Sequence, residues 1–339
     1  MHVHSRVGGG RRALGALGFA LALTGPLTAT KAEVLTGPIQ SQPLGPNRTG
    51  PIAVAKPPAD RSASCDAACL TGLADRYLDA LGRRDFTGLP VAPNLMVAEN
   101  SHASRIGDGV WRVLERLNPE RTYFTDPIAG QVVVLGTLDE SAHETQILVL
   151  RLKIENRLIA EVETMVTADL DAAQHFRPDG VARFDPVITT VLPTEQRMTR
   201  EQLIAAGVAL IGKSGQGLSA APDCAHWENG ENVSAAMNSR CNVGGGGPPG
   251  AEPLSFAQRG VRQVVVDVER GLVLTYLLKD TAPYLNPNPP DHERTPLFYR
   301  RRLTLYQMRI AKFVAGDKLL ADHVFMNAQE ADAPVVFPR

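Results

Sequence analysis

Two Glu-Asn dipeptides are the residues best placed to do chemistry in this 339-residue chain. One closes VAPNLMVAEN (91–100) and the other closes AAPDCAHWEN (220–229), with Ala-Pro and an Asn or Asp at matching spacing before each. Glu99 follows Leu95 and Val97 at strand spacing, and Glu228 follows Cys224 and His226 in the same way, so each carboxylate shares a strand face with these neighbours. In an apolar pocket, desolvation raises a carboxylate pKa toward the range useful to a general base. The dipeptide also reads as an exposed edge carboxylate or a structural turn, and both readings stay open at this stage.

Other candidates lie nearby or further along. His226 stands two residues before Glu228, and His323 lies in KLLADHVFM (318–326). A His-Glu-His set of this kind suits an acid–base dyad, or by ligand type a metal. No His-x-His or His-x3-His spacing involves His226 or His323 to support the metal, and no metal or other cofactor is expected. Arg151 (in LRLK) and Arg309 (in MRIA) sit on long strands at what read as equivalent places. A lone strand arginine faces solvent or, turned inward, anchors a carboxylate or enolate. Asp126, Asp139, Asp267 and Asp280 lie at turns, and turn chemistry accounts for them. The chain has no Gly-x-Ser-x-Gly elbow, no glycine-rich phosphate loop between strand and helix and no His-Glu-x-x-His; the glycines at 244–247 read as a flexible loop.

The elements carrying these residues occur twice. RTYFTDPIAGQVVVLGTLD (121–139) matches RQVVVDVERGLVLTYLLKD (262–280), with Arg121/Arg262, Asp126/Asp267, Gly130/Gly271, Val132/Val273 and Asp139/Asp280 coincident. RLIAEVETM (157–165) matches KLLADHVFM (318–326), an alignment that sets His323 where the first copy has Val162. The spacing between blocks grows only through Gly/Pro-rich stretches at 243–253 and 284–296, as insertions in the turns of one fold would do. Three blocks in one order make an internal duplication.

Within the first copy, Leu70, Leu73, Tyr77, Leu78 and Leu81 recur at helical spacing over 67–83. A strand ending at Glu99 follows, then a short helix containing Trp111, Val113, Leu114 and Leu117 with Asp108 as its N-cap, and strands near 121–126, 131–138, 146–155 and 157–167. The second copy repeats this with a helix over 199–213 and strands near 224–229, 262–268, 272–279, 301–313 and 317–326. Helices followed by a meander of long strands define an α+β class.

LADRYLDALGRRD (73–85) is similar to the first helix of the nuclear transport factor 2-like, or SnoaL-like, superfamily. LKIENRLIAEVETMV (152–166) resembles the final hairpin of those proteins, without the usual glycine of its turn. The resemblance covers about 65–168 and 198–328. It implies two tandem cone-shaped curved antiparallel sheets, each packed with helices, forming an intramolecular pseudo-dimer with a ligand pocket at the open end of each cone. The ketosteroid isomerase branch carries an acidic base at the end of the first strand and a tyrosine on the first helix, which Glu99 (or Asn100) and Tyr77 match. That branch's protonated acid would fall near the apolar Val149 and Leu150, and Ala206 replaces the tyrosine in the second copy, so steroid isomerisation itself is not expected. Tyr77 otherwise reads as a core residue with its hydroxyl satisfied. Asn100, Trp111, Arg151, Asn229 and Arg309 are the expected substrate contacts, although a cone filled by Trp111, Trp227, Phe325 or Met326 would be closed to substrate.

A net charge of −1 and the lack of a basic stripe give no reason to expect nucleic acid. Arg11-Arg12 before the apolar run Ala13–Leu23 and small residues up to Ala32 read as a signal peptide over 1–32, by ordinary or twin-arginine export, and no segment is long enough to span a membrane. Residues 33–64 read as a Pro/Gly-rich tether, 65–170 as the first domain, 171–197 as a linker, 198–328 as the second domain and 329–339 as a tail. Four cysteines in an exported chain favour disulfides. Cys224 and Cys241 bracket a loop and pair best; Cys65 and Cys69 pair only if the helix begins after Cys65, and pairing across the halves is the other possibility. The expected function is a secreted or periplasmic, cofactor-independent lyase, isomerase or dehydratase acting on a small, partly apolar organic molecule. Glu99 or Glu228 would be the base, with Tyr77, or His226 and His323, to polarise or reprotonate. The rival is a ligand-binding or docking module without chemistry.

Overall fold

The computed structural model describes residues 65–140, 143–168, 175–211, 218–234, 241, 257–280 and 302–337. The expected signal peptide and tether, and both Gly/Pro-rich insertions, lie outside them. Helix α1 (Ala67–Arg83) begins after Asp66, whose carboxylate caps the Cys69 N–H at 2.9 Å, and ends at Arg84 in the left-handed region. Because the helix starts beyond Cys65, the condition for a Cys65–Cys69 bridge is met, and that disulfide is present beside Cys224–Cys241.

Strands β1 (Val91–Glu99), β2 (His102–Ser104), β3 (Leu114–Asp126), β4 (Gln131–Glu140), β5 (His143–Glu155) and β6 (Leu158–Thr167) form one sheet in the order β2-β1-β6-β5-β4-β3. Strands β7 (Ser219–Glu228), β8 (Glu231–Asn232), β9 (Ala257–Asp267), β10 (Leu272–Asp280), β11 (Leu303–Val314) and β12 (Lys318–Glu330) form the other, in the matching order β8-β7-β12-β11-β10-β9. Both sheets are mixed rather than antiparallel throughout. The meander brings its last strand back to the flank of the first strand running the same way, so β1–β6 and β7–β12 pair in parallel.

The expected short helix is a single turn, α2 (Val110–Val113). Leu114 turns extended and pairs with Glu140, so Leu114 and Leu117 belong to the edge strand β3, where Pro119 lies at a shift of register. Asp108 does not cap this turn. Gly109 occupies the N-cap position at positive φ, and Asp108 instead pairs with Arg112.

Hydrogen bonds fix which residues of the two sheets are equivalent. The Gly130 carbonyl accepts the Ile154 N–H at 2.7 Å, as the Gly271 carbonyl accepts Phe313 N–H at 2.8 Å. Asp139 accepts from Thr145 and Arg116, as Asp280 does from Thr304 and Arg259. Asn100 accepts the Val166 N–H and Asn229 the Met326 N–H. The last pair makes Val166, not Met165, the counterpart of Met326. The sequence alignment of the final strand was therefore one residue out of step, and a single-residue slip moves every side chain to the opposite face. His323 corresponds to Glu163, and Asp322 to Val162. The same ladders make Leu150 the counterpart of Arg309.

Three cores result. Helix α1 covers the outer face of the first sheet with Leu70, Tyr77, Leu78 and Leu81. Helix α5 (Arg200–Ile211) covers the outer face of the second with Leu203, Ala206 and Leu210. Between them the two sheets pack face to face, Val133, Leu135, Ile147, Val149 and Met165 meeting Val265, Leu274, Tyr276, Met308, Ile310 and Phe325. Short helices α3 (Pro178–Ala182) and α4 (Pro186–Thr189) add Val181 and Ile188 to this middle layer. Buried Asp126 does more than make its turn: beyond capping Ala129 it accepts from Arg200 at 2.7 Å and from the Val266 N–H at 2.9 Å, tying the halves together. No helix among the described residues is long and apolar enough to cross a membrane.

Candidate functional site

The two Glu-Asn pairs have a common frame and different uses. Asn100 and Asn229 both adopt positive φ, at 47° and 42°, and bend the chain after the strand. Each backbone N–H reaches the last strand (Thr164 O, Val324 O) while the side-chain oxygen takes an N–H from the same strand. Their acceptor oxygens are thus engaged in pinning strand ends.

In the first copy Glu99 accepts the Val110 N–H at 3.0 Å, and a Cβ at Gly109 would collide with its carboxylate. Burial pushes the Glu99 pKa up, against the opposing pull of that N–H. Trp111 is buried edge-on against Tyr77, ring centroids 5.4 Å apart, and its indole N–H donates to the Tyr77 oxygen at 3.0 Å. Phe86 closes on the other side of Trp111. Tyr77 and Trp111 are therefore packed into the helix-side core, with Glu99 partly buried, and burial raises the Tyr77 pKa out of any working range.

In the second copy the same face is charged. The His226 Nδ1 lies 2.8 Å from Asp322 Oδ2 and its Nε2 3.3 Å from Glu228 Oε1. Arg309 grips both Asp322 oxygens at 2.6 Å. His175 stands 3.8 Å from the other Glu228 oxygen and 3.3 Å from Glu231. Burial alone would lower the His226 pKa, but the Asp322 charge and the hydrogen bonds the ring donates to both carboxylates hold it up at about 9. The Asp322 carboxyl, despite complete burial, is kept well below the carboxylate range by Arg309 and His226. Lys279, on the neighbouring strand, is pushed down to about 8 by burial and then by the Arg309 charge. The row is closed at Asp322, whose side chain is 2% exposed, and open at Glu228, at 18%.

Register equivalence shows what this replaces. His226, Lys279, Arg309 and Asp322 occupy the places of Val97, Leu138, Leu150 and Val162 in the first copy. Four apolar residues of one sheet are four charged residues in the other, all around the one shared glutamate.

His323 is not part of this set. It lies on the opposite face, stacked on Trp227 at 5.3 Å and against Phe184, with Nε2 3.3 Å from Asp185. Arg151 also faces the middle layer, where Glu161, Glu163 and Gln131 hold it, so it is neither solvent-facing nor the partner of Arg309. Sequence reasoning missed Asp322, Lys279 and His175. Asp322 was hidden by the one-residue slip, and His175 by its position before α3. No cluster of three or more His, Cys, Asp or Glu side chains among the described residues is arranged to hold a metal ion.

Residues 196–312, from the turn before α5 into β11, match a family described as a domain of unknown function (DUF8021). A comparison with curated proteins found no match.

Proposed function

We propose that the second copy is the working half, a proton-transfer site for a small, partly apolar organic molecule, built on a nuclear transport factor 2-like or SnoaL-like cone. The first copy is its scaffold. The observation that carries this reading is the four-residue exchange of apolar for charged side chains around Glu228. Buried charge carries a desolvation cost of several kcal/mol per ion, and the first copy demonstrates that the frame closes without it.

Each residue then has a task. Glu228, at the open end, takes a proton from the carbon next to a carbonyl. His226 is an imidazolium at neutral pH whose Nε2–H is held by Glu228; once Glu228 carries the proton, that N–H turns to the enolate oxygen and can return a proton. Asp322 holds the imidazole orientation and its charge, and Arg309 fixes Asp322 in place. This is the chemistry of a cofactor-independent lyase, isomerase or dehydratase. Two disulfides suit an oxidising compartment, and with the signal-like N-terminus they support export to the periplasm or medium.

The test is hydrogen–deuterium exchange into a panel of small enolisable ketones in D2O, followed by NMR. Wild type and Glu99→Gln should exchange at least one of them, and Glu228→Gln should not. Exchange that survives Glu228→Gln removes the assignment, and ligand retention without exchange in any form favours the binding module.

A further inference from the structure

A second site lies along the seam between the halves. A groove of about 560 Å³ runs between β4–β6 of the first sheet and β9 with α5 of the second. That volume is in the range of small-molecule pockets, which favour domain boundaries. One wall is charged, with Arg151, Lys153, Arg262 and Glu161; the other is apolar, with Val208, Ile211, Val261 and Val264. Phe337, after β12, lays its ring over both guanidiniums, 4.8 Å from Arg151 and 5.4 Å from Arg262.

The charged wall has donors to spare. Arg151 gives Nε to Glu163, one Nη to Gln131 and the other to Glu161, which uses three of five N–H bonds. Arg262 gives Nη2 to Glu163 at 2.5 Å, and its buried Nε has no protein partner. A buried donor of this kind calls for an acceptor. Three cations face Glu161 and Glu163 here, with Glu155 beyond them pairing Lys153 at the exposed rim. Opposite, Val208 is 57% exposed, on a helix that also leaves Ile204 partly bare.

We propose that this groove binds a small organic monoanion, a carboxylate or sulfonate carried on an apolar or aromatic body. The acidic group meets Arg262, Arg151 and Lys153, and the body lies along Val208, Ile211 and Phe337. The site shares no residue with the Glu228 row.

The probe is 8-anilinonaphthalene-1-sulfonate, followed by fluorescence on the folded protein, with octanoate as competitor. Saturable binding of one equivalent, displaced by octanoate, is the expected result. Val208→Glu puts a carboxylate on the apolar wall at an exposed position, and it should weaken binding by about tenfold or more. Lys153→Gln should weaken it less and flatten its salt dependence. Glu228→Gln should leave it unchanged, which separates this site from the proton-transfer site. Non-saturable binding, or binding indifferent to both Val208→Glu and Lys153→Gln, overturns the proposal. Loss of binding in Glu228→Gln would do the same by moving the probe to the other site.

Discussion

His226 stands between two carboxylates, and its charge follows from that position. Its pKa is raised from 6.5 to about 9 in the folded chain. The ion pair with Asp322 therefore stabilises the fold fully below about pH 6.5 and loses that contribution as pH rises through about 9. Asp322→Asn should bring the His226 titration, read by NMR of the ring, back toward its ordinary midpoint. It should also destabilise the protein by about 3–5 kcal/mol, because Arg309 and the imidazolium lose a buried partner. A His226 midpoint unmoved by Asp322→Asn would contradict the pairing. Glu228 was legible from the sequence because both copies keep it at one spacing. Asp322 was not, since LLAD matches LIAE residue for residue in an alignment one position away from the structural one, and the register is settled by the strand ladders and the Asn229–Met326 hydrogen bond.

At the scale of elements, the two asparagines do the same work on two strands. Asn100→Ala and Asn229→Ala each strip the acceptor from a strand N–H and put alanine at positive φ. Each should cost about 1–3 kcal/mol in denaturant unfolding, more if the turn is strained. An effect on ligand binding with no change in stability would instead favour the substrate-contact reading. Helix α1 and the long strands were legible because their apolar residues repeat at helical or alternating spacing. The parallel β1–β6 and β7–β12 pairings were not, since pairing partners far apart in the chain leave no local pattern. Helix α2 was overextended because Leu114 and Leu117 fit a helical face and an edge strand alike.

At the scale of the molecule, the apolar layer between the sheets and the Asp126 clamp make one folding unit of two copies. The chain's two tryptophans report on separate halves, Trp111 beneath α1 and Trp227 on β7. In the single-tryptophan variants Trp227→Phe and Trp111→Phe, thermal unfolding should show one shared midpoint, apart from the small shift each substitution brings. Two well-separated transitions would mean that the halves fold independently. The duplication could be read from the sequence because its shared residues are turns and strand ends. The division of labour could not, because it depends on which face each unshared residue occupies.

The most direct test of that division is to give the second copy the first copy's residues: His226→Val, Lys279→Leu, Arg309→Leu and Asp322→Val together. Removing the four charges together leaves only Glu228 without its histidine, and that carboxylate is partly exposed with His175 3.8 Å away, so stability should hold or rise, by up to about 1–4 kcal/mol, while deuterium exchange into the ketone panel disappears. A variant that is strongly destabilised yet still exchanges would show the charged row to be structural and the functional assignment wrong.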